Sequence, residues 1–155
     1  PVFGGVYKLV AVENKGIFSP RIKVSEAVEK MTNPGLKKVW RIYKGGQAIA
    51  DLIANADETP DPSKPYRYID PEKPWKELYF EGCTARQLQN LVVKDGKRTG
   101  EKVNLAQIRD YVKEQLENEI WQEEQRFENP HKHYVDMSVD YYEMKMELLR
   151  STKNK

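Results

Sequence analysis

A chain of 155 residues is ample for one domain, and its 26 basic and 24 acidic side chains nearly cancel to a formal net charge of +2. That balance argues against a nucleic-acid domain, which would carry a larger basic excess or a concentrated basic patch. With 39% hydrophobic residues and a mean hydropathy of −0.80 the chain is expected to fold around a modest core; no apolar run approaches the roughly 20 residues of a membrane span, and a single cysteine, Cys83, excludes an internal disulfide framework and fits a reducing cytoplasm.

Residues 7–41 read as strand, turn, strand, polar link, Pro-Gly turn and strand. Val6, Lys8, Val10 and Val12 alternate with Tyr7, Leu9 and Ala11 at a period of two. Asn14-Lys15-Gly16 breaks that run, and Gly16 supplies the positive φ a tight turn needs. Arg21-Ile22-Lys23-Val24 resumes the extended pattern. Asn33-Pro34-Gly35 is a second turn, with Pro34 at its first central position and Gly35 at the next. The third strand, Val39-Trp40-Arg41-Ile42-Tyr43, is rich in bulky β-formers.

If Lys15-Gly16 is a two-residue turn, Asn14 pairs with Ile17, and counting outward sets Lys8 opposite Lys23. Like charges directly opposite each other destabilise a sheet. The pair is tolerated if both ammonium groups reach water, or if an anion sits between them. Lys30, just ahead of the Pro-Gly turn, is placed to join them. Three solvated lysines on an edge hairpin are the plainer reading.

Lys44-Gly45-Gly46-Gln47 is a turn, and its Gly-Gly entry favours a hairpin strand over residues 48–56 rather than a helix. Residues 57–74 hold Pro60, Pro62, Pro65, Pro71 and Pro74, which no central strand or helix accepts, so this reads as an ordered loop with Tyr66-Arg67-Tyr68-Ile69 a short extended piece; a flexible interdomain linker is the alternative, disfavoured by the aromatic content. Strands are expected at residues 75–80 and 87–93, with Lys94-Asp95-Gly96-Lys97 a hairpin turn. The last third has a helical period. Leu105, Ile108, Val112, Leu116 and Ile120 form one apolar stripe behind an Asn104 N-cap with Gln107 as its capping-box partner, and Asn129-Pro130 ends that helix. Ser138 caps a second helix with Asp140 in its first turn, and the tail from residue 151 should fray. The fold class is therefore α+β: antiparallel β-meander and hairpins in the first two thirds, then two C-terminal helices packed as an αα-hairpin against the sheet.

Few residues outside the lysines point to chemistry. Cys83 has no basic or imidazole neighbour in sequence and reads as structural. His131 and His133 share one face if extended, but no Cys pair or third histidine completes a zinc site, so no metal is expected. Glu117, Glu119, Glu123 and Glu124 read as a solvated helix face.

Several irregular motifs nevertheless recur in one order. G-G-V-Y-K-L-V (residues 4–10), P-R-I-K-V-S-E (20–26) and E-K-M-T-N-P-G-L-K-K-V-W-R (29–41) are followed by Ala48, Asp51 and Leu52, by Thr84-Ala85-Arg86-Gln87-Leu88, and by R-F-E-N-P-H-K-H-Y-V-D-M-S (126–138). Together these resemble the C-terminal part of nicotinate phosphoribosyltransferase, a type II phosphoribosyltransferase of NAD synthesis, over nearly the whole chain. One departure is His133, where the family often carries an aromatic.

The resemblance implies that residues 1–155 are a single C-terminal domain or fragment of a longer enzyme, with 1–44 a β-hairpin region completing the enzyme's sheet domain and 45–155 a C-terminal β plus helical subdomain. The start, Pro1-Val2-Phe3-Gly4-Gly5, has neither an initiator Met nor the signature of a signal peptide, which fits that expectation. The missing catalytic half would carry the phosphoribosyl-diphosphate loop, the active-site histidine and most substrate contacts, so no catalytic residue is assigned here. In the family, nicotinate and phosphoribosyl diphosphate give nicotinate mononucleotide and diphosphate, with ATP hydrolysis coupled. Phosphate-facing lysines of close relatives match Lys8, Lys23 and Lys30, which become the expected phosphate or ATP contacts, shared with the missing half or a dimer partner. The fragment alone is expected to bind no cofactor and to be inactive; the intact enzyme is expected to use Mg²⁺ and ATP, to be a cytoplasmic homodimer, and to need neither nucleic acid nor membrane. A free-standing anion-binding or regulatory module is the alternative.

Overall fold

The computed structural model describes residues 4–25 and 30–153. It has ten strands and two helices in the order β1 (Ala11–Asn14), β2 (Ile17–Pro20), β3 (Lys37–Lys44), β4 (Gln47–Asn55), β5 (Tyr66–Ile69), β6 (Leu78–Phe80), β7 (Thr84–Gln87), β8 (Val93–Lys94), β9 (Lys97–Arg98), α1 (Leu105–Glu114), β10 (Val135–Ser138) and α2 (Val139–Lys153). Strands β1–β2 and β8–β9 are separate hairpins; the other six form one sheet in the order β6-β5-β10-β4-β3-β7. The α+β class and the two C-terminal helices are as expected. One pairing is not antiparallel: β10, the last strand in sequence, inserts between β4 and β5 and runs parallel to β4.

Turn chemistry sets the hairpin registers. Lys15 and Gly16 adopt φ of 52° and 81°, and Gly45 and Gly46 adopt 60° and 85°. Two consecutive left-handed residues give a turn whose twist matches that of paired strands. Asn14 therefore faces Ile17, as counted from sequence. The β1–β2 ladder ends at Ala11 and Pro20, later than the alternation starting at Val6 implies. Beyond it the Val10 carbonyl accepts both the Arg21 and the Gly35 N–H, each at 2.8 Å, and so ties the ribbon to the Pro34-Gly35 turn. Residues 26–29 of the polar link, and the opening residues 1–3, lie outside the described residues.

The sheet packs on both faces. On one, Ile42, Ala50, Leu52, Phe80 and Cys83 form a buried cluster, with Tyr68 stacked on Phe80 at 3.9 Å between ring centroids. The proline loop closes over it, where the Pro62 and Ser63 carbonyls accept the Cys83 and Gly82 N–H groups. On the other face Ile53 and Met137 meet Tyr141 of α2. Tyr141 is fully buried, and its hydroxyl donates to the Pro34 carbonyl at 2.8 Å. Strand β10 runs into α2 without a loop. Ser138 caps the helix, its Oγ accepting the Tyr141 N–H at 3.2 Å while donating to Glu58 at 2.9 Å.

Several expected elements differ. The αα-hairpin does not form: α2 packs on β4, β5 and β10 and makes no contact with α1, because the strand between the helices is taken into the sheet. The first helix has the expected Asn104–Gln107 capping box but ends at Glu114, well short of Asn129. Gln115–Glu119 loosen into a π-helical turn, Ile120 turns extended, and the Gln125 amide donates to the Leu116 and Ile120 carbonyls left open. The apolar stripe of Leu105, Ile108, Val112 and Leu116 is exposed. The strand expected at residues 87–93 lies earlier, at β7. Past it, the Gln89 side chain replaces the ladder by accepting the Val39 N–H at 2.9 Å and donating to the Lys37 carbonyl. The strand expected from Trp75 begins only at Leu78, after a turn over residues 73–76. Of the tail expected to fray, residues 151–153 continue α2, and 154–155 lie outside the described residues.

Tyr141→Phe keeps the ring in place but leaves the Pro34 carbonyl without its donor. It is expected to cost about 1–2 kcal/mol, the usual penalty for stranding a buried polar group. Urea unfolding of the two chains side by side measures it.

Candidate functional site

The three lysines singled out from the sequence line one cavity of about 410 Å³, together with Val6, Tyr7, Leu9, Ser25 and Thr32. Three segments form it. The stretches on either side of the β1–β2 ladder bring Lys8 and Lys23 in, and the segment leading to the Pro-Gly turn brings Lys30. Thr32 clamps the last of these: its Oγ1 accepts the Lys23 N–H at 2.8 Å and its own N–H donates to the Lys23 carbonyl. Thr32 is 3% exposed, so the clamp is a fixed part of the wall. Among the described residues the lining carries the ammonium groups of Lys8, Lys23 and Lys30 and the hydroxyls of Tyr7, Ser25 and Thr32, and no carboxylate. Gathered like charges are relieved by an anion, and lysines are point-charge donors suited to phosphate oxygens.

A second polar assembly, unforeseen in the sequence, lies across β3, β4 and β7. Arg41 grips Asp51 in bidentate fashion, Nε to Oδ1 at 2.8 Å and Nη2 to Oδ2 at 3.0 Å. Beside it Arg86 donates to both oxygens of Glu119, at 2.9 and 2.8 Å, and to Gln115 at 3.0 Å, while the Tyr43 hydroxyl donates to Glu119 at 2.6 Å. The Arg86 guanidinium also sits 5.0 Å from the Tyr43 ring centroid. Burial alone would raise the Glu119 carboxyl; hydrogen bonds from Arg86, Tyr43 and Gln115 outweigh it and hold the pKa at about 2. Burial, and then the bond to Glu119, pushes the Tyr43 phenol well above its ordinary range.

His133 bridges this layer to the chain that follows the π-helical turn. Its Nδ1 lies 3.0 Å from Glu124, and its Nε2 approaches Asp51 at 3.4 Å without forming a hydrogen bond. His131 points elsewhere, edge-on to Tyr134 at 5.6 Å. Among the described residues no three or more His, Cys, Asp or Glu side chains are grouped to hold a metal ion. Glu119 and Glu124, expected from sequence on a solvated face, instead turn inward: the π-helical turn and the reversal after it bring Glu119 to Tyr43 and Arg86 of the sheet and Glu124 to His133. Glu117 and Glu123 do stay at the surface, beside Lys113 and Arg126. Cys83 is buried, its Sγ 3.4 Å from the Glu81 carbonyl.

Counting residues along the hairpin falls one short of the Arg41–Asp51 pair. Counting back from the Gly45-Gly46 turn sets Arg41 opposite Ala50. A bulge between Ile42 and Tyr43 advances β4 by one residue and brings Asp51 there instead.

This architecture has known counterparts. Residues 36–145 match the family profile described as Nicotinate phosphoribosyltransferase C-terminal domain, so the chain belongs to that family. It is 32% identical over 157 aligned residues to nicotinate phosphoribosyltransferase of Bacillus subtilis (strain 168), covering 100% of this chain and 32% of that protein. It is 34% identical to nicotinate phosphoribosyltransferase of Caenorhabditis elegans, covering 92% of this chain and 25% of the relative. The crystal structure of human nicotinic acid phosphoribosyltransferase superposes with a TM-score of 0.70 at 19% identity, covering 75% of this chain and 23% of the human one, and shows the shared fold. The chain thus spans between a quarter and a third of these curated relatives.

The Glu119 carboxyl titrates below its ordinary value of 4.5 when folded. Its contribution to stability is therefore present in full above about pH 4.5 and is lost as the pH falls toward 2. Glu119→Gln is expected to cost about 1–2 kcal/mol at pH 7, between the values for exposed and buried pairs. It should also flatten the decline of stability below pH 4.5. Urea melts of both chains between pH 3 and pH 7, on the order of half-unit steps across the carboxylate range, provide the check.

Proposed function

We propose that the chain serves as the C-terminal portion of a nicotinate phosphoribosyltransferase, an enzyme that joins nicotinate to phosphoribosyl diphosphate, releases diphosphate and couples ATP hydrolysis in NAD synthesis. Within that enzyme it stiffens the fold, contributes to subunit contact and lends Lys8, Lys23 and Lys30 to a phosphate-binding site completed by the preceding half or by a dimer partner. The convergence of the three lysines on one cavity carries the reading. As the glycosidic bond breaks, negative charge gathers on the departing diphosphate, and fixed cations nearby stabilise it. The same cations would suit the phosphates of ATP. The cavity does not fit Mg²⁺, which takes oxygen ligands, often carboxylates; groups holding that ion would belong to the rest of the enzyme. A cytoplasmic homodimer is part of the same proposal. No helix among the described residues is long and apolar enough to cross a membrane.

Lys8→Ala, Lys23→Ala and Lys30→Ala in the intact enzyme are each expected to weaken use of phosphoribosyl diphosphate or ATP by ~1.5–3 kcal/mol, a ten- to hundredfold effect, without unfolding it. Lys→Arg keeps the charge and should recover part of the loss. Steady-state kinetics with thermal melts as a folding control decide the matter; unchanged constants in all three variants would return these residues to ordinary surface lysines. The isolated chain should form no nicotinate mononucleotide, because one lysine cavity cannot orient two substrates. Mg²⁺-dependent product from the purified chain would contradict that expectation.

A further inference from the structure

A second cavity, of about 380 Å³, shares no lining residue with the lysine site. Its floor is Asp136, at the centre of the sheet in β10 and 3% exposed. Among the described residues no donor forms a hydrogen bond to this carboxylate, although buried carboxylates ordinarily have partners. The walls are aromatic: Tyr68 and Phe80, stacked on each other, together with Trp121 and Tyr134. The Trp121 indole Nε1 is also buried without a partner. Lys44, Lys73 and Lys76 are exposed at the surface of the cavity, where water screens them.

We infer that this cavity is a recognition site for a compact organic cation, an ammonium or amidinium-type group seated on Asp136 and enclosed by the aromatic rings. A desolvated carboxylate supplies the counter-charge, ring faces attract cations, and the volume suits a small ligand. The same chemistry could come from a free amine or amidine, or from a Lys or Arg side chain elsewhere in the intact enzyme.

The site has a pH signature. Burial first, and Asp70 second, raise the Asp136 carboxyl to about 7, opposed by His133. Asp70 follows β5 and His133 precedes β10. Tyr68, Tyr79, Glu81, Cys83, Tyr134 and the three lysines complete the ionisable lining. A bound cation favours the ionised carboxylate, so affinity should fall as the pH drops through 7.

The test is calorimetric titration of the intact enzyme with benzamidine and with butylamine, using neutral benzamide as control. A free-ligand site predicts that a cationic probe binds where benzamide does not, and that affinity falls about tenfold from pH 8 to pH 6, as a carboxyl of pKa about 7 requires. It also predicts loss of binding in Asp136→Asn and severalfold weaker binding in Tyr134→Leu, whose half-exposed side chain makes unfolding no concern. A site filled by the enzyme's own side chain predicts that no probe binds and that Asp136→Asn lowers the Tm at pH 8, because a paired cation is stranded. The inference is overturned if benzamide binds as well as benzamidine, or if binding survives Asp136→Asn. It is equally overturned if no probe binds and Asp136→Asn leaves the Tm unchanged or raised, the behaviour of a merely unpaired buried charge.

Discussion

The insertion of Val135–Ser138 between β4 and β5 is the constraint on which the rest of the structure depends. Four residues bridge two segments that otherwise share no ladder, parallel on one side and antiparallel on the other. The first bond of that junction, from the Asp51 N–H to the Tyr134 carbonyl at 2.9 Å, is made before the strand formally begins. Because a strand alternates its side chains, the insertion sends Met137 to the face covered by α2 and Asp136 to the opposite face, level with buried Leu52. With no loop between β10 and α2, pairing of the strand also positions the helix. Tyr141 then closes the unit by reaching Pro34, more than a hundred residues earlier in sequence.

The face covered by α2 joins an apolar region to a charged one. Beneath the helix, Ile53, Met137 and Tyr141 exclude water. Farther along the same strands, Arg41, Asp51, Arg86 and Glu119 face the chain around the π-helical turn. Such a layer contributes little net stability by itself, since desolvation offsets much of the Coulomb gain. Its geometry is directional, however. The contacts of Arg86 with both oxygens of Glu119 admit one orientation of that carboxylate, and so fix where the π-helical turn crosses the sheet.

The lysine cavity depends on the same economy of backbone contacts. One carbonyl, that of Val10, receives N–H groups from two separate segments, and one buried threonine pins Lys23 to the segment carrying Lys30. Fixed backbone positions hold the flexible lysine side chains within reach of a common volume.

Local rules were legible in the chain itself. The Lys15-Gly16 turn, with its positive φ values, set Asn14 against Ile17; the Asn104–Gln107 capping box began α1; Ser138 capped α2. Each depends on residues within a few positions of one another, and irregular motifs along the chain indicated the family besides. What tertiary structure alone decided was every pairing between distant segments. The stripe on α1 has helical period but cannot name a partner, and it remains exposed. The four residues of β10 look like a linker between helices because a short strand earns its place only from neighbours on both sides. Glu119 and Glu124 have the composition of a solvated face, and one loosened helical turn redirects them onto Arg86 and His133. Periodicity reports which side of an element is apolar; which element meets that side is set by long-range packing, to which no local pattern is sensitive.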